Sequence, residues 1–287
     1  MNKMFDNLIA TLENVGIKKG DVLYVSSDIN VLIYGAISNK YINDFNEEDI
    51  LLNDFVDTLY DTVGDNGTIL FPVFSWDFCR GKGFDYYKTK GEVGALSNWV
   101  LKNRKDFVRT QHALYSFMVK GKMAKDFANM SYQDAWGQAS IFTYFKDHNS
   151  KQLLFNIEAF QGLTFGHYVE QCVDVPYRHP KYFIDKYKDA NGMEEVRMYS
   201  MYVRDIDISS ACGIYNKFLI DNNVAKQTEW QNNKLTVVEL GKSYPIIEND
   251  MLNNGGKNTL KFENYDFSWT NKKTINYEIS DINKLYS

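Results

Sequence analysis

The segment Thr164-Phe165-Gly166-His167-Tyr168-Val169-Glu170 sets an imidazole and a carboxylate three positions apart. On a helix that spacing brings both side chains to one face about a turn apart, so the carboxylate can orient the ring. With Thr164 as N-cap, His167 falls in the first turn, where the positive end of the helix dipole disfavours an imidazolium. A neutral imidazole can accept a proton near pH 7, which is the work of a general base. Spacing alone favours a plainer alternative, an ordinary surface pair on a helix.

Other residues could serve such a base. Arg109-Thr110-Gln111-His112 leads into the alternating run Ala113 to Phe117 and brings a second histidine to a strand entrance. A histidine there is more often hydrogen-bonded structure than catalyst. Ser26 and Ser27 end an apolar run where a loop could offer N–H groups and hydroxyls to an anion or a thioester oxygen, with helix capping as the equal alternative. Tyr177-Arg178-His179-Pro180-Lys181 is a basic knot suited to phosphates, or simply solvated surface. Gly81-Lys82-Gly83 lacks the spacing of a dinucleotide fingerprint, and no Gly-Lys-Ser/Thr loop, Gly-x-Ser-x-Gly elbow or His-Glu-x-x-His pair occurs.

The elements that must position these groups follow from periodicity. Phe5, Leu8, Ile9 and Leu12 recur at helical spacing and stop at Gly16; Val22 to Val25 reads as a buried strand. Ile50 to Val63 is a second amphipathic helix, and Thr68 to Val73 the next strand. Strands are predicted at Leu114 to Val119 and Gln152 to Ile157, with helices at Ala95 to Lys102, Lys122 to Met130 and Thr164 to Val173. This alternation is the rhythm of a layered α/β domain, a mixed sheet flanked by helices. Further on come a strand at Met198 to Val203, helices at Ser209 to Asn222 and Ser243 to Asn253, and short strands after Gly255-Gly256.

Composition narrows the function. The 287 residues carry 37 acidic against 32 basic side chains, a net charge of −5 without long blocks of either sign, so no footprint for nucleic acid or an anionic membrane is visible. No apolar run reaches the roughly 20 residues that span a bilayer, and the N-terminal stretch reads as an amphipathic helix rather than a signal peptide. Three separated cysteines, Cys79, Cys172 and Cys212, argue against a disulfide framework or a zinc knuckle. A cytoplasmic enzyme with small-molecule partners and no metal is expected, with a homodimer left open.

Read in order, five stretches resemble the aminoglycoside 3-N-acetyltransferase family, whose fold differs from the GNAT fold. They are Val25-Ser26-Ser27 with Tyr34-Gly35-Ala36-Ile37; Gly67 to Trp76; Gly94-Ala95-Leu96-Ser97; Arg109-Thr110-Gln111-His112 with Tyr115-Ser116 and Gly121; and Thr164 to Glu170 with Tyr177-Arg178. Together they run from about residue 20 to about residue 185.

The resemblance implies one acyltransferase domain over residues 1–287, with a family-like core at about 20–255 and a strand-rich extension at 256–287. It implies acetyl-CoA or another short acyl-CoA as co-substrate and an amino sugar as acceptor, with His167 as base, Glu170 orienting it and His112 as a further catalytic candidate. Ser26, Ser27, Arg109, Thr110 and Ser116 are implied for the cofactor, and Trp76, Asp134, Tyr177 and Arg178 for the acceptor. Polycationic drugs call for several carboxylates around the acceptor, and only Asp134 and Glu158 stand near the motifs. The expected acceptor is therefore a nucleotide-linked (dTDP- or UDP-) amino sugar of surface polysaccharide synthesis, with an aminoglycoside as the alternative. A non-catalytic carbohydrate-binding protein is disfavoured by the intact His167 and Glu170 pair.

Overall fold

A computed structural model describes residues 3–205, 213–260, 262, 265 and 267–271. In chain order the elements are α1 (Leu8–Asn14), β1 (Val22–Ser27), α2 (Asn30–Ser38), α3 (Glu48–Val63), β2 (Thr68–Phe74), β3 (Phe84–Asp85), α4 (Ala95–Asn103), β4 (Val108–Arg109) and β5 (Tyr115–Gly121). Then follow α5 (Ala124–Asn129), α6 (Ile141–Asp147), β6 (Lys151–Phe155), α7 (Ala159–Gly162), α8 (Phe165–Val173), β7 (Arg178–Lys188), β8 (Glu194–Arg204), α9 (Tyr215–Asp221), β9 (Ala225–Trp230), β10 (Asn233–Glu239) and α10 (Leu240–Asn254).

Strands β1, β2 and β6 are apolar at most positions, as strands covered on both faces must be. β1 pairs in parallel with β2 on one side and with β6 on the other, setting Ser26 opposite Leu154 and Ser27 opposite Phe155. Antiparallel strands extend both flanks into a seven-stranded sheet ordered β4-β5-β2-β1-β6-β10-β9. Side chains alternate across a sheet, so its two faces fill two cores. Leu23, Val25, Ile69, Phe71, Leu153 and Phe155 meet Leu12, Phe55, Leu59 and Leu96 from α1, α3 and α4. Tyr24, Leu70, Phe74 and Leu154 meet Phe142, Phe145, Phe165 and Val169 from α6 and α8.

The expected α/β layering, a mixed sheet flanked by helices, is therefore present. A second sheet, β3-β7-β8, was not anticipated. The expected basic knot at Tyr177 to Lys181 is instead the entry to β7, whose eleven residues pair along all of β8 and set Arg178 opposite Arg204. The hairpin β9–β10 was also missed, because its turn uses Gln231 and Asn232 at φ of 46° and 63° without the usual Asn-Gly signal. The helix expected from Ser209 begins at Tyr215, and residues 206–212 lie outside those described. Of the expected strand-rich extension, the described residues form a turn, one bridge position at Phe262 and a 3-10 turn at Trp269–Asn271; the rest lies outside. Cys79 and Cys172 are free thiols, and Cys212 lies outside the described residues. Among the described residues no helix is long and apolar enough to cross a membrane.

Candidate active site

In open α/β sheets ligands gather beyond the carboxyl ends of the parallel strands, where successive connections leave in opposite directions. That place here lies between β1, which ends at Ser26-Ser27, and β6, which runs into α7 and α8. Gly162 lets the α7–α8 corner settle there, since a Cβ on it would stand 2.2 Å from Ile157 Cδ1. Its carbonyl accepts from Gln152 Nε2 at 2.7 Å and from Ser26 Oγ at 3.3 Å, tying the corner to β6 and to the end of β1.

The α8 helix presents His167 and Glu170 as the spacing requires: His167 Nδ1 lies 2.5 Å from Glu170 Oε2. Thr164 holds the N-cap position, but its side chain does not cap the helix. Glu170 is nearly inaccessible, at 2% side-chain exposure. A buried carboxylate needs partners, and it has three. Oε2 takes the imidazole and faces Arg178 Nε at 2.9 Å, while Tyr177 Oη donates to Oε1 at 2.6 Å. Burial alone would push this carboxyl up; Arg178, His167 and the hydrogen bonds outweigh it and hold it well below the usual carboxylate range.

A carboxylate can only accept, so the proton between the pair sits on Nδ1 and the neutral ring keeps its lone pair on Nε2. Among the described residues Nε2 has no hydrogen-bond partner. The His167 side chain is 43% exposed and borders a cavity of about 320 Å³. Its pKa lies below the ordinary imidazole value, first through burial, then through the Arg178 charge, with Glu170 opposing both. Trp136 packs its indole 5.4 Å from the imidazole, centroid to centroid, and steadies the ring from outside α8.

The cavity walls come from four places. Gln161, Thr164 and Gly166 surround the α7–α8 corner, Arg178 and Arg204 stand at the paired ends of β7 and β8, Tyr215 opens α9, and Met251, Thr259 and Leu260 close the far side. Glu170 is the one carboxylate among these described lining residues, and its oxygens are already engaged. A smaller cavity of about 150 Å³ adjoins through the shared residues Gln161 and Thr164, and is lined by Ser26, Ser27, Phe74, Gly94 and Ser97 among others.

The sequence candidates thus divide. His167, Glu170 and Arg178 come together at one cavity, and Ser26 and Ser27 at its neighbour, while Tyr177, expected at the acceptor, is buried behind Glu170 and lines neither. His112 is not brought to either. It is 2% exposed, its Nδ1 accepts from the backbone N–H groups of Leu114 and Tyr115, and its Nε2 donates to Gln133 O at 3.3 Å. Burial pushes its pKa down to about 3, so it is a neutral, fully bonded ring among Tyr132 and Tyr199 rather than a base.

Arg109, Thr110 and Ser116 likewise form an internal tie instead of a cofactor wall. Arg109 Nε donates to Ser116 Oγ at 3.0 Å, its Nη1 reaches the carbonyls of Tyr86 and Thr89, and Thr110 Oγ1 accepts from Phe117 N. The two acidic candidates are also spent locally. Asp134 accepts from Gln171 Nε2 at 2.6 Å, and Glu158 caps α7 and pairs with Lys234. Trp76 sits behind β2, where its backbone N–H bonds Glu92, and lines neither cavity. Arg204 was missed: it lies one residue past the expected strand, and no motif marks it.

The family model for aminoglycoside 3-N-acetyltransferase matches residues 38–249. No curated protein sequence matches the chain significantly. Among solved structures, the AAC-IIIb binary complex with CoASH superposes with a TM-score of 0.66 at 18% identity, covering 84% of this chain and 93% of that one. AAC-VIa with bound sisomicin gives 0.65 at 15% identity, over 87% and 97% of the two chains. YokD from Bacillus subtilis gives 0.64 at 17% identity, over 87% and 99%. Likeness at these identities establishes the shared fold.

Proposed function

The chain belongs to the aminoglycoside 3-N-acetyltransferase family of CoA-dependent N-acetyltransferases, and from that premise we propose that it acylates the amino group of a nucleotide-linked amino sugar. The observation that carries the reading is the Nδ1–H bond of His167 to Glu170, with Nε2 open among the described residues beside a cavity bordered by two guanidinium groups.

In this reading acetyl-CoA, or another short acyl-CoA, brings its thioester to the Ser26 and Ser27 side, and the sugar amine enters past Arg178 and Arg204. A protonated amine has no lone pair. The amine first sheds that proton to solvent, and as its neutral nitrogen attacks the thioester carbon His167 Nε2 removes a second one, a contribution of roughly a hundredfold or more. The C–N bond forms, the C–S bond breaks, and the proton held by His167 can return to the departing thiolate. Glu170 keeps the imidazole in the correct tautomer and offsets the positive charge it gains.

Charge selects the acceptor. Among the described lining residues the one carboxylate, Glu170, is already engaged and offers a polycationic drug little, whereas a diphosphate-linked sugar would bring negative charge to a cavity bordered by Arg178 and Arg204. The test is release of CoA thiol from acetyl-CoA with dTDP- and UDP-linked amino deoxysugars, set against sisomicin. Turnover of a nucleotide-linked sugar is expected. Turnover of sisomicin alone would overturn this choice of acceptor.

A further inference from the structure

The matched family region ends at residue 249, and the chain that follows comes back to the site. Asp250, buried on α10, gathers this return. Its Oδ2 accepts from the backbone N–H groups of Asn258 and Thr259 at 3.1 and 3.0 Å and from Thr259 Oγ1 at 2.9 Å, and its Oδ1 accepts from the side-chain amides of Asn254 and Asn258. The turn so pinned places Thr259 and Leu260 on the cavity wall. Beyond it, the rings of Phe262, Tyr265 and Phe267 stand 4.7, 6.0 and 5.8 Å from the ring of Tyr177. Tyr177 is completely buried beneath them, and its hydroxyl is the group that holds Glu170 Oε1.

We infer that this C-terminal segment is a positioning element for the acyl transfer: Thr259 and Leu260 shape one side of the acceptor cavity, while Phe262 and Phe267 fix Tyr177, and through Tyr177 the Glu170 carboxylate that orients His167. The physical reason is the division of labour on Glu170. One oxygen serves His167 and the other serves Tyr177, so the carboxylate plane is set only while both partners are fixed. Aromatic packing fixes the second, since it excludes water that would otherwise compete for Oε1 and for the tyrosine hydroxyl. The tail thus acts on the base without touching it. The inference rests on the proposed role of His167 but not on the identity of the acceptor.

The test follows from that independence. The full chain, labelled at its four histidines, is titrated by NMR, with the His167 ring signal assigned from its disappearance in His167→Gln. In Phe262→Ala and Phe267→Ala, water reaches Tyr177 and Glu170, and the His167 midpoint should rise by about half a pH unit or more towards its ordinary value. Tyr177→Phe keeps every ring contact but releases Oε1, and it should also move the midpoint, which preserves the test if an alanine variant fails to fold. In parallel, turnover of the acceptor found above should fall about tenfold in the phenylalanine variants with KM for acetyl-CoA unchanged, and Leu260→Ala should raise KM for the acceptor alone. A folded Tyr177→Phe protein whose His167 midpoint is unmoved would overturn the inference. So would phenylalanine variants that lose thermal stability while the midpoint and turnover stay put. Absence of any acceptor would count against the proposed function and leave the NMR comparison intact.

Discussion

Arg178 brings its Nη2 to 3.1 Å from His167 Nδ1, the same nitrogen that carries its proton to Glu170. A guanidinium cannot accept, and Nδ1 has no lone pair to give in this tautomer, so the approach is electrostatic. It opposes a second positive charge on the ring and keeps His167 ready to take a proton.

The pH dependence follows with a definite sign. The base works when neutral, and its pKa is lowered, so kcat/KM should hold down to about pH 6.5 and decline only below it. Arg178→Gln removes the opposing cation and should shift the acidic limb to higher pH. A pH–rate series on both proteins checks this, and an unshifted limb would show that Arg178 does not act on the ring.

His167→Ala should cost roughly a hundredfold to ten-thousandfold in turnover while CoA still binds, as calorimetry would report. Glu170→Gln should cost less, because it orients the ring and does not itself transfer the proton. Full turnover in His167→Ala would place the base elsewhere.

Glu170 also makes stability depend on acid. Its folded pKa is depressed, so its contribution is present above the ordinary carboxylate value of about 4.3 and is lost as pH falls through the lower folded value. Denaturant unfolding between pH 7 and pH 3 should show the wild type losing stability more steeply below about pH 4 than Glu170→Gln.

His112→Ala should destabilise by about 1–3 kcal/mol, since it strips acceptors from two buried N–H groups and leaves a void among tyrosines. Its turnover per folded molecule should match the wild type. Chemical denaturation and kinetics on one preparation separate the two effects.

Arg204→Gln should raise KM for a nucleotide-linked acceptor about tenfold and flatten the dependence of KM on salt. KM for acetyl-CoA should not change.

Much of this was legible in the residues. The alternation of α1, α3, α4, α5 and α8 with the central strands announces itself because those helices have one apolar face and those strands are apolar at most positions, whereas α2, α6 and α7 carry no such signal and were not expected. His167 and Glu170 were readable because a separation of three on a helix leaves little choice of geometry. Of the β7–β8 hairpin only Met198 to Val203, inside β8, was readable; the rest is partly exposed and mixes charge with aromatics on both alternations, which hid β7 and Arg204. His112 and Arg109 show a different limit. Their place in a motif marked them, yet their direction depends on whether tyrosines and carbonyls enclose them, and that is decided by chain far away, at Tyr199, Tyr86 and Thr89.

The double-sided burial of β1 and β6 has a wider consequence. A strand end gripped by two cores cannot drift without disturbing both, so the spot where amine, thioester and imidazole would meet is held as firmly as anything in the molecule. The walls that would greet the sugar come instead from the open end of the β7–β8 hairpin and a late turn, outside the seven-stranded frame. A protein divided this way can change what it accepts at Arg204, Thr259 and Leu260 while keeping how it reacts.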